Sequence, residues 1–386
     1  MRMQPFTVAW TADQVDALKA RIAAAVVPPA PEGAGWSLGC DRDFLLKVRD
    51  YWLNGYDWQA AVDDLNRYPQ FIAEIDGFPI HFIHVKGEGE SRRPLLMTHG
   101  WPGSYYEFWD VVDRLAYPSR HGGDAADAFD LVMPSLPGYA FSGKPSQPIG
   151  PTATAAMWDK LMTQVLGYPA YLAQGGDWGS LVTASLGLDH GDTVRGIHLN
   201  MVALRSSMPP QNPAEEQWAA KAMLAYQTLS AYSMLQMWKP MSLAYVAAGN
   251  PLGQAAWILE RFHDWSDLSQ GDLEAVYGLD HLITNIMLYV MNDSFESAIW
   301  FYNGLIREGG RELGEGETCD TPLGVAAFPG DALLPVPPRS RVELVASKLM
   351  HWTDMPAGGH FAAMEQPEAF AADVKSWAAK VWPAGT

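Results

Sequence analysis

Cysteine is nearly missing from this 386-residue chain. Only Cys40 and Cys319 are present, far apart and outside any C-x-x-C pair, which excludes a disulfide framework and a structural zinc site and predicts two reduced thiols. Basic residues are scarce as well: 26 Lys and Arg stand against 44 Asp and Glu, a formal charge of −18. Such a surface attracts neither duplex nucleic acid nor an anionic membrane, and it favours a neutral substrate. Long hydrophobic runs are lacking too. No segment approaches the length of a membrane span, and Met1–Phe6 lead into a capped helix without the apolar stretch of a signal peptide, so a cytoplasmic location is the default expectation. The sequence contains no internal repeat and no low-complexity tract.

What the chain does have is apolar bulk: 48% of it is hydrophobic and 12% aromatic, enough to fill a large core in one big domain with additions or in two domains. Its most informative segment is Gly175-Gly176-Asp177-Trp178-Gly179, which follows the apolar run Ala170–Gln174. Small residues on both sides of a reactive side chain let a strand turn sharply into a helix and lift that side chain above the sheet. This is the nucleophile elbow of α/β-hydrolases, with a carboxylate where most carry Ser. A Ser attacking saturated carbon would leave an ether that activated water cannot cleave. An Asp leaves an ester, whose own carbonyl gives water a point of attack, so the elbow points to displacement at sp3 carbon followed by hydrolysis. The competing reading is a plain turn with an Asx cap at a helix start.

A second turn, His99-Gly100-Trp101-Pro102-Gly103-Ser104, follows the strand-like Pro94–Thr98. The backbone N–H groups of Trp101 and of Trp178, the residue after the nucleophile, are the candidates for an oxyanion hole. Of ten His, only His360 lies late in the chain in a Gly-rich turn, Gly358-Gly359-His360-Phe361. His99 reads as a structural member of its own turn, and His81 and His84 alternate along a strand, which leaves His360 as the base. A triad in the order nucleophile, acid, His then needs a carboxylate between Asp177 and His360. Asp331, in Phe328-Pro329-Gly330-Asp331, is the first choice, with Asp354 as runner-up and Asp320 third.

Thr11-Ala12-Asp13-Gln14 has the spacing of a capping box, and Val15, Leu18 and Ile22 continue it at helical intervals. Further helices are predicted over Phe44–Leu53 and Trp58–Asn66, then a hairpin whose arms Phe71–Ile75 and Ile80–Val85 meet across Asp76-Gly77. Strands near Leu95, Leu131, Leu172 and Ile197–Leu199 alternate with helical stretches. They predict an α/β fold of the α/β-hydrolase type, with a mostly parallel central sheet. Residues 1–85 form a helical and meander lead, 86–203 the first part of the core, 204–325 a helical lid rich in Trp, Met and Tyr, and 326–386 the second part. Strands are expected to resume at Val342–Val345.

With its Asp elbow, His-Gly-Trp-Pro-Gly-Ser turn, helical lead and late Gly-Gly-His-Phe-Ala-Ala, nearly the whole chain resembles the microsomal-type epoxide hydrolases of the α/β-hydrolase superfamily. Tyr56-Asp57-Trp58, Leu65-Asn66 with Pro69-Gln70-Phe71, Ile75-Asp76-Gly77 and Pro134-Ser135-Leu136-Pro137-Gly138-Tyr139 add to the likeness. The animal members' N-terminal anchor is not matched, so the resemblance is to a soluble bacterial-type form. It implies hydrolysis of an epoxide to a vicinal diol without a cofactor, an acid that is Asp or Glu, and two lid tyrosines that hold the epoxide oxygen. Tyr232 and Tyr302 lie in the matching segments, although the segment around Tyr302 departs from the family's Ser- and Arg-containing pattern. Composition alone leaves Tyr226, Tyr245 and Tyr289 on equal terms with them. A haloalkane dehalogenase with the same Asp, His and Asp is the rival activity, with the Trp178 indole and a group near Trp101 as halide donors. Haloacetate dehalogenation lacks the Arg after Asp177 that would hold a carboxylate. A noncatalytic ligand-binding member is the alternative of another class, and a homo-oligomer is left open.

Overall fold

The computed structural model describes residues 3–90 and 92–383; Met1 and Arg2, at the head of the lead, lie outside them. Among the described residues nine strands make one sheet: β1 Met3–Phe6, β2 Gln70–Ile75, β3 Phe78–Val85, β4 Arg93–Thr98, β5 Phe129–Pro134, β6 Tyr171–Gly175, β7 Val194–Leu199, β8 Leu323–Ala327 and β9 Leu349–Asp354. Their order is β1-β2-β3-β5-β4-β6-β7-β8-β9. The first three joints are antiparallel and the rest parallel. Every residue of β4, β5, β6 and β8 is buried, as strands covered by helices on both faces must be.

The lead follows local rules. Thr11 Oγ1 accepts from the Gln14 N–H at 3.3 Å while Gln14 Oε1 accepts from the Thr11 N–H at 2.9 Å, so the capping box forms. Helices run over Arg42–Asn54 and Trp58–Leu65. Asp76 and Gly77 both take positive φ, 53° and 79°, as a two-residue turn between right-twisted strands requires. The edge strand β1 has no hydrophobic alternation to announce it; it pairs Pro5 with Phe71, and an edge is where Pro is tolerated in a sheet.

The strand expected at Val342–Val345 is a correction. Arg339–Glu343 is a helix. Val342 and Val345 are both buried, and their spacing of three is one face of a helical turn rather than a strand alternation. The last strand is the more polar β9, half-exposed along its length. The sheet has already resumed at Leu323. Between β7 and β8 lie the helices that cover the site, among them Pro213–Leu229, Ala231–Trp238, Pro251–Trp265, Leu279–Val290 and Trp300–Glu308. Among the described residues no helix is long and apolar enough to cross a membrane.

Behind the sheet, Asp373 on the helix Pro367–Val381 ties two strands together. Its Oδ2 accepts from His198 Nε2 at 2.9 Å and its Oδ1 from His351 Nε2 at 2.7 Å, while Lys380 Nζ donates to His351 Nδ1 at 2.8 Å. Burial raises the Asp373 pKa, but the two imidazole donors outweigh it and hold the carboxyl well below its ordinary range. This contribution to stability is present above the ordinary carboxylate pKa and is lost as pH falls toward the lowered one. Asp373→Asn turns an NH2 toward one imidazole N–H. It is expected to cost about 3–5 kcal/mol, read as a lower urea midpoint at neutral pH and a smaller loss of stability on acidification than in the parent.

Candidate active site

Sheet register brings the site together two loops at a time. Thr98 pairs with Gly175 across β4 and β6, so the His99–Ser104 turn and the elbow leave the sheet side by side. Ala327 pairs with Asp354 across β8 and β9, so the loops that carry Asp331 and His360 also leave together. All four emerge at the carboxyl ends of parallel strands, where open α/β sheets place their ligands.

Asp177 is the first residue of the helix Asp177–Asp189 and has a φ of 47°, a left-handed conformation that a non-glycine residue adopts only under surrounding constraint. Part of that constraint is the close approach of Gly179 to β4, where a Cβ would stand 1.7 Å from the Thr98 carbonyl oxygen. The carboxylate is held at both oxygens. Oδ1 accepts from the Trp101 N–H at 2.7 Å, and Oδ2 lies 3.1 Å from His360 Nε2. The Trp178 N–H, in the first turn of the helix, has no carbonyl four residues back within that helix and adds to its positive end. Trp101 is thus brought to Asp177 by its backbone, and Trp178 follows Asp177 in the chain.

His360 Nδ1 lies 3.1 Å from Asp331 Oδ2. Asp331 is buried, and its Oδ1 accepts from the N–H groups of Leu333 and Leu334 at 3.0 and 3.1 Å. Burial pushes the imidazole pKa down, but the carboxylates of Asp331 and Asp177 outweigh it and hold His360 well above its ordinary range. The other two acid candidates are elsewhere. Asp354 accepts from its neighbour Trp352 Nε1 at 2.9 Å, and Asp320 is bound by Thr318 and Ser347. His99 is structural: its Nδ1 donates to Gly100 O at 3.0 Å and its Nε2 accepts from Leu136 N at 3.1 Å, and burial lowers its pKa to about 4.

The large cavity over Asp177 has a volume of about 410 Å³ and is lined by Trp178, Tyr232, Tyr302, Met237 and Leu334 among others. Tyr232 and Tyr302 come from two lid helices yet meet there, with ring centroids 5.9 Å apart. Tyr232 stacks on Trp101 at 5.4 Å, with the Arg261 guanidinium 5.0 Å over its ring; Tyr302 meets Trp178 edge-on at 4.5 Å. Burial and the Asp177 carboxylate raise the Tyr232 pKa; burial, Tyr232 and Asp177 do the same for Tyr302. Both phenols therefore keep their protons at neutral pH. The competitors separate cleanly. Tyr245 and Tyr226 are exposed, although Tyr226 reaches the cavity mouth, and the Tyr289 hydroxyl donates to Gly103 O at 2.5 Å.

Sequence reasoning missed Glu365. Its carboxylate accepts from the N–H groups of Gly359, Phe361 and Asp267 at 2.7, 2.9 and 2.8 Å, locking the turn that presents His360, whose own N–H donates to Trp265 O at 2.9 Å. Its place five residues after His360 was the available signal. Among the described residues no group of three or more His, Cys, Asp and Glu is arranged to hold a metal ion.

Comparison with known proteins follows the same lines. Residues 3–108 match the family model described as epoxide hydrolase N terminus, and residues 93–231 the model of the alpha/beta hydrolase fold. The chain is 38% identical to a Stigmatella aurantiaca protein provisionally named an epoxide hydrolase, over 96% of this chain and 83% of that one. It is 34% identical to epoxide hydrolase 1 of Sus scrofa, over 97% and 88%. The solved Aspergillus niger epoxide hydrolase superposes with a TM-score of 0.85 at 31% identity, covering 99% of this chain and 97% of that one. The juvenile hormone epoxide hydrolase of Bombyx mori gives 0.88 at 27% identity, covering 98% and 95%. With a two-part match running through both its lead and its core, the chain belongs to the epoxide hydrolase family of the α/β-hydrolase fold.

Proposed function

We infer that this chain, as an epoxide hydrolase, converts a small, largely apolar epoxide and water to a vicinal diol through an ester on Asp177. The observation that carries the reading is a carboxylate, not a hydroxyl, gripped between the Trp101 N–H and His360 Nε2 at the floor of a cavity that also holds two protonated phenols. Asp177 Oδ2 attacks a ring carbon while Tyr232 and Tyr302 donate to the epoxide oxygen, where negative charge develops. A phenol proton passes to that oxygen as the ring opens. Alkylation neutralises one of the two carboxylates that hold the His360 proton. The imidazolium then gives up its proton to restore the phenol, so charge balances over the step. His360, now neutral and still oriented by Asp331, takes a proton from water. The water oxygen attacks the Asp177 carbonyl carbon, and the N–H groups of Trp101 and Trp178 hold the resulting oxyanion until the diol leaves.

A halide leaves without needing a proton, so dehalogenation would give the buried tyrosine pair no task. One turnover in water enriched in heavy oxygen tests the route. The first diol is expected to carry no solvent oxygen, and the label should appear in the Asp177 carboxylate on mass analysis of the peptide. Solvent oxygen in that first diol would mean direct attack of water on the ring and end the ester reading. Bromide release from a bromoalkane with no diol from a styrene-type epoxide would move the chain to the dehalogenases.

A further inference from the structure

Asp177 borders a second cavity, and the two cavities share no other lining residue. The second is small, with about 10 Å³ available to water centres, and Glu107, Gly176, Asn200, His360 and Ala363 are among its walls. That is on the order of the space needed for one water. No lid tyrosine lines it. Substrate and diol occupy the large cavity, so a molecule in the small one is not displaced by them, yet it faces both the ester carbon and the base.

Glu107 is out of place there by ordinary packing rules. It lies in the helical turn Tyr105–Val111, whose other residues are mostly aromatic and buried. It forms no ion pair with Lys or Arg among the described residues. The neighbours that act on its charge are Asp177, His360 and the Gly100 N–H. Its position depends on Gly103, where a Cβ would stand 1.5 Å from Glu107 Oε1, so the carboxyl occupies space that a side chain at 103 would fill. Unpaired carboxyls are seldom kept in such surroundings for stability.

We propose that Glu107 is a water-positioning residue for the second half-reaction, its carboxyl oxygen accepting one O–H of the hydrolytic water while His360 Nε2 takes the proton from the other. The water oxygen bonds to the Asp177 carbonyl carbon, the ester C–O bond breaks as the second water proton passes to the departing diol oxygen, the proton held by His360 balances the restored Asp177 carboxylate, and Glu107 gains and loses nothing. Burial and the Asp177 carboxylate push Glu107 up to about 8. The step that esterifies Asp177 also discharges His360, so both charges beside Glu107 are lost together. This inference rests on the ester route proposed above.

Glu107→Gln tests it, because the shape is kept while one accepting oxygen becomes an NH2. Stopped-flow and quenched mass analysis with a styrene-type epoxide should show ester formation within about threefold of the parent and ester hydrolysis slowed by about ten- to a hundredfold. Ester then accumulates, kcat and KM fall together, and kcat/KM is retained. A merely structural residue would lower ester formation and hydrolysis alike, and that pattern overturns the proposal, as does hydrolysis at the parent rate. If Glu107→Gln unfolds at the assay temperature, Gly103→Ala displaces the carboxyl without removing it, and the same two patterns decide. Failure of the ester route itself shows separately, as parent enzyme that yields no labelled Asp177.

Discussion

Asp177→Asn is expected to lower kcat/KM for any epoxide substrate by at least about 10⁴-fold without unfolding the protein. The amide oxygen can still accept from the Trp101 N–H that now reaches Oδ1 at 2.7 Å, so the elbow keeps one anchor. Its NH2 faces His360 Nε2, and with one of its two carboxylates gone the imidazole no longer holds its extra proton so strongly. A carboxamide does not displace at a strained ring carbon at a useful rate. Epoxide consumption followed by chiral chromatography reads the loss, and a circular dichroism melt reads the fold. Retained turnover of more than a few per cent would show that another group opens the ring. A noncatalytic binder would show instead no turnover in the parent and equal ligand affinity in both proteins. Slow recovery of activity on storage, with the introduced amide hydrolysing back to a carboxylate, would report that the water-activating half of the site still works.

His360→Gln separates the two half-reactions. Ring opening needs Asp177 and the phenols, all left in place, with solvent rather than His360 restoring the phenol proton, whereas release needs a base that Gln does not supply. The variant should take up one equivalent of epoxide as a covalent adduct, visible as added protein mass, and then stop, with ester hydrolysis slowed by about 10²–10⁴-fold. The fold is expected to hold because Glu365, not His360, ties the loop through three backbone N–H groups. The same logic sets a pH dependence. In the parent the two carboxylates hold the His360 pKa well above its ordinary range before alkylation, and loss of one of them lowers it. Acid should therefore slow ester hydrolysis, by protonating the base, before it slows ester formation. Diol release from His360→Gln at the parent rate would remove the imidazole from the mechanism.

Several parts of this site were legible in order along the chain because they are local. A strand followed by small residues and one reactive side chain must turn sharply, and His-Gly-x-Pro after another strand must do the same; sterics at neighbouring residues decide both. The capping box at Thr11 and the Asp76-Gly77 turn belong to the same class. The Val342–Val345 segment was misread as a strand because a short run of mostly apolar and branched residues satisfies either period, and only packing chooses.

Choosing the acid among Asp331, Asp354 and Asp320 lay beyond sequence pattern, since each lies between nucleophile and base. Strand pairing sends the Asp331 and His360 loops out from adjacent strand ends and sets Asp331 Oδ2 3.1 Å from His360 Nδ1, while Asp354 closes β9 against Trp352. The tyrosines were chosen by resemblance alone. Fifteen phenols differ in use only through which of them the lid helices turn inward. Glu107 and Glu365 left the faintest trace of all, because one faces a cavity made by distant segments and the other bonds backbone N–H groups that nearly every residue type carries. By itself, the order of residues determined the reactive groups and the turns that expose them, since those depend on steric limits within a few bonds. Which groups share a cavity was decided only by strand order and lid packing, since those are set by burial of apolar surface between segments far apart in the chain.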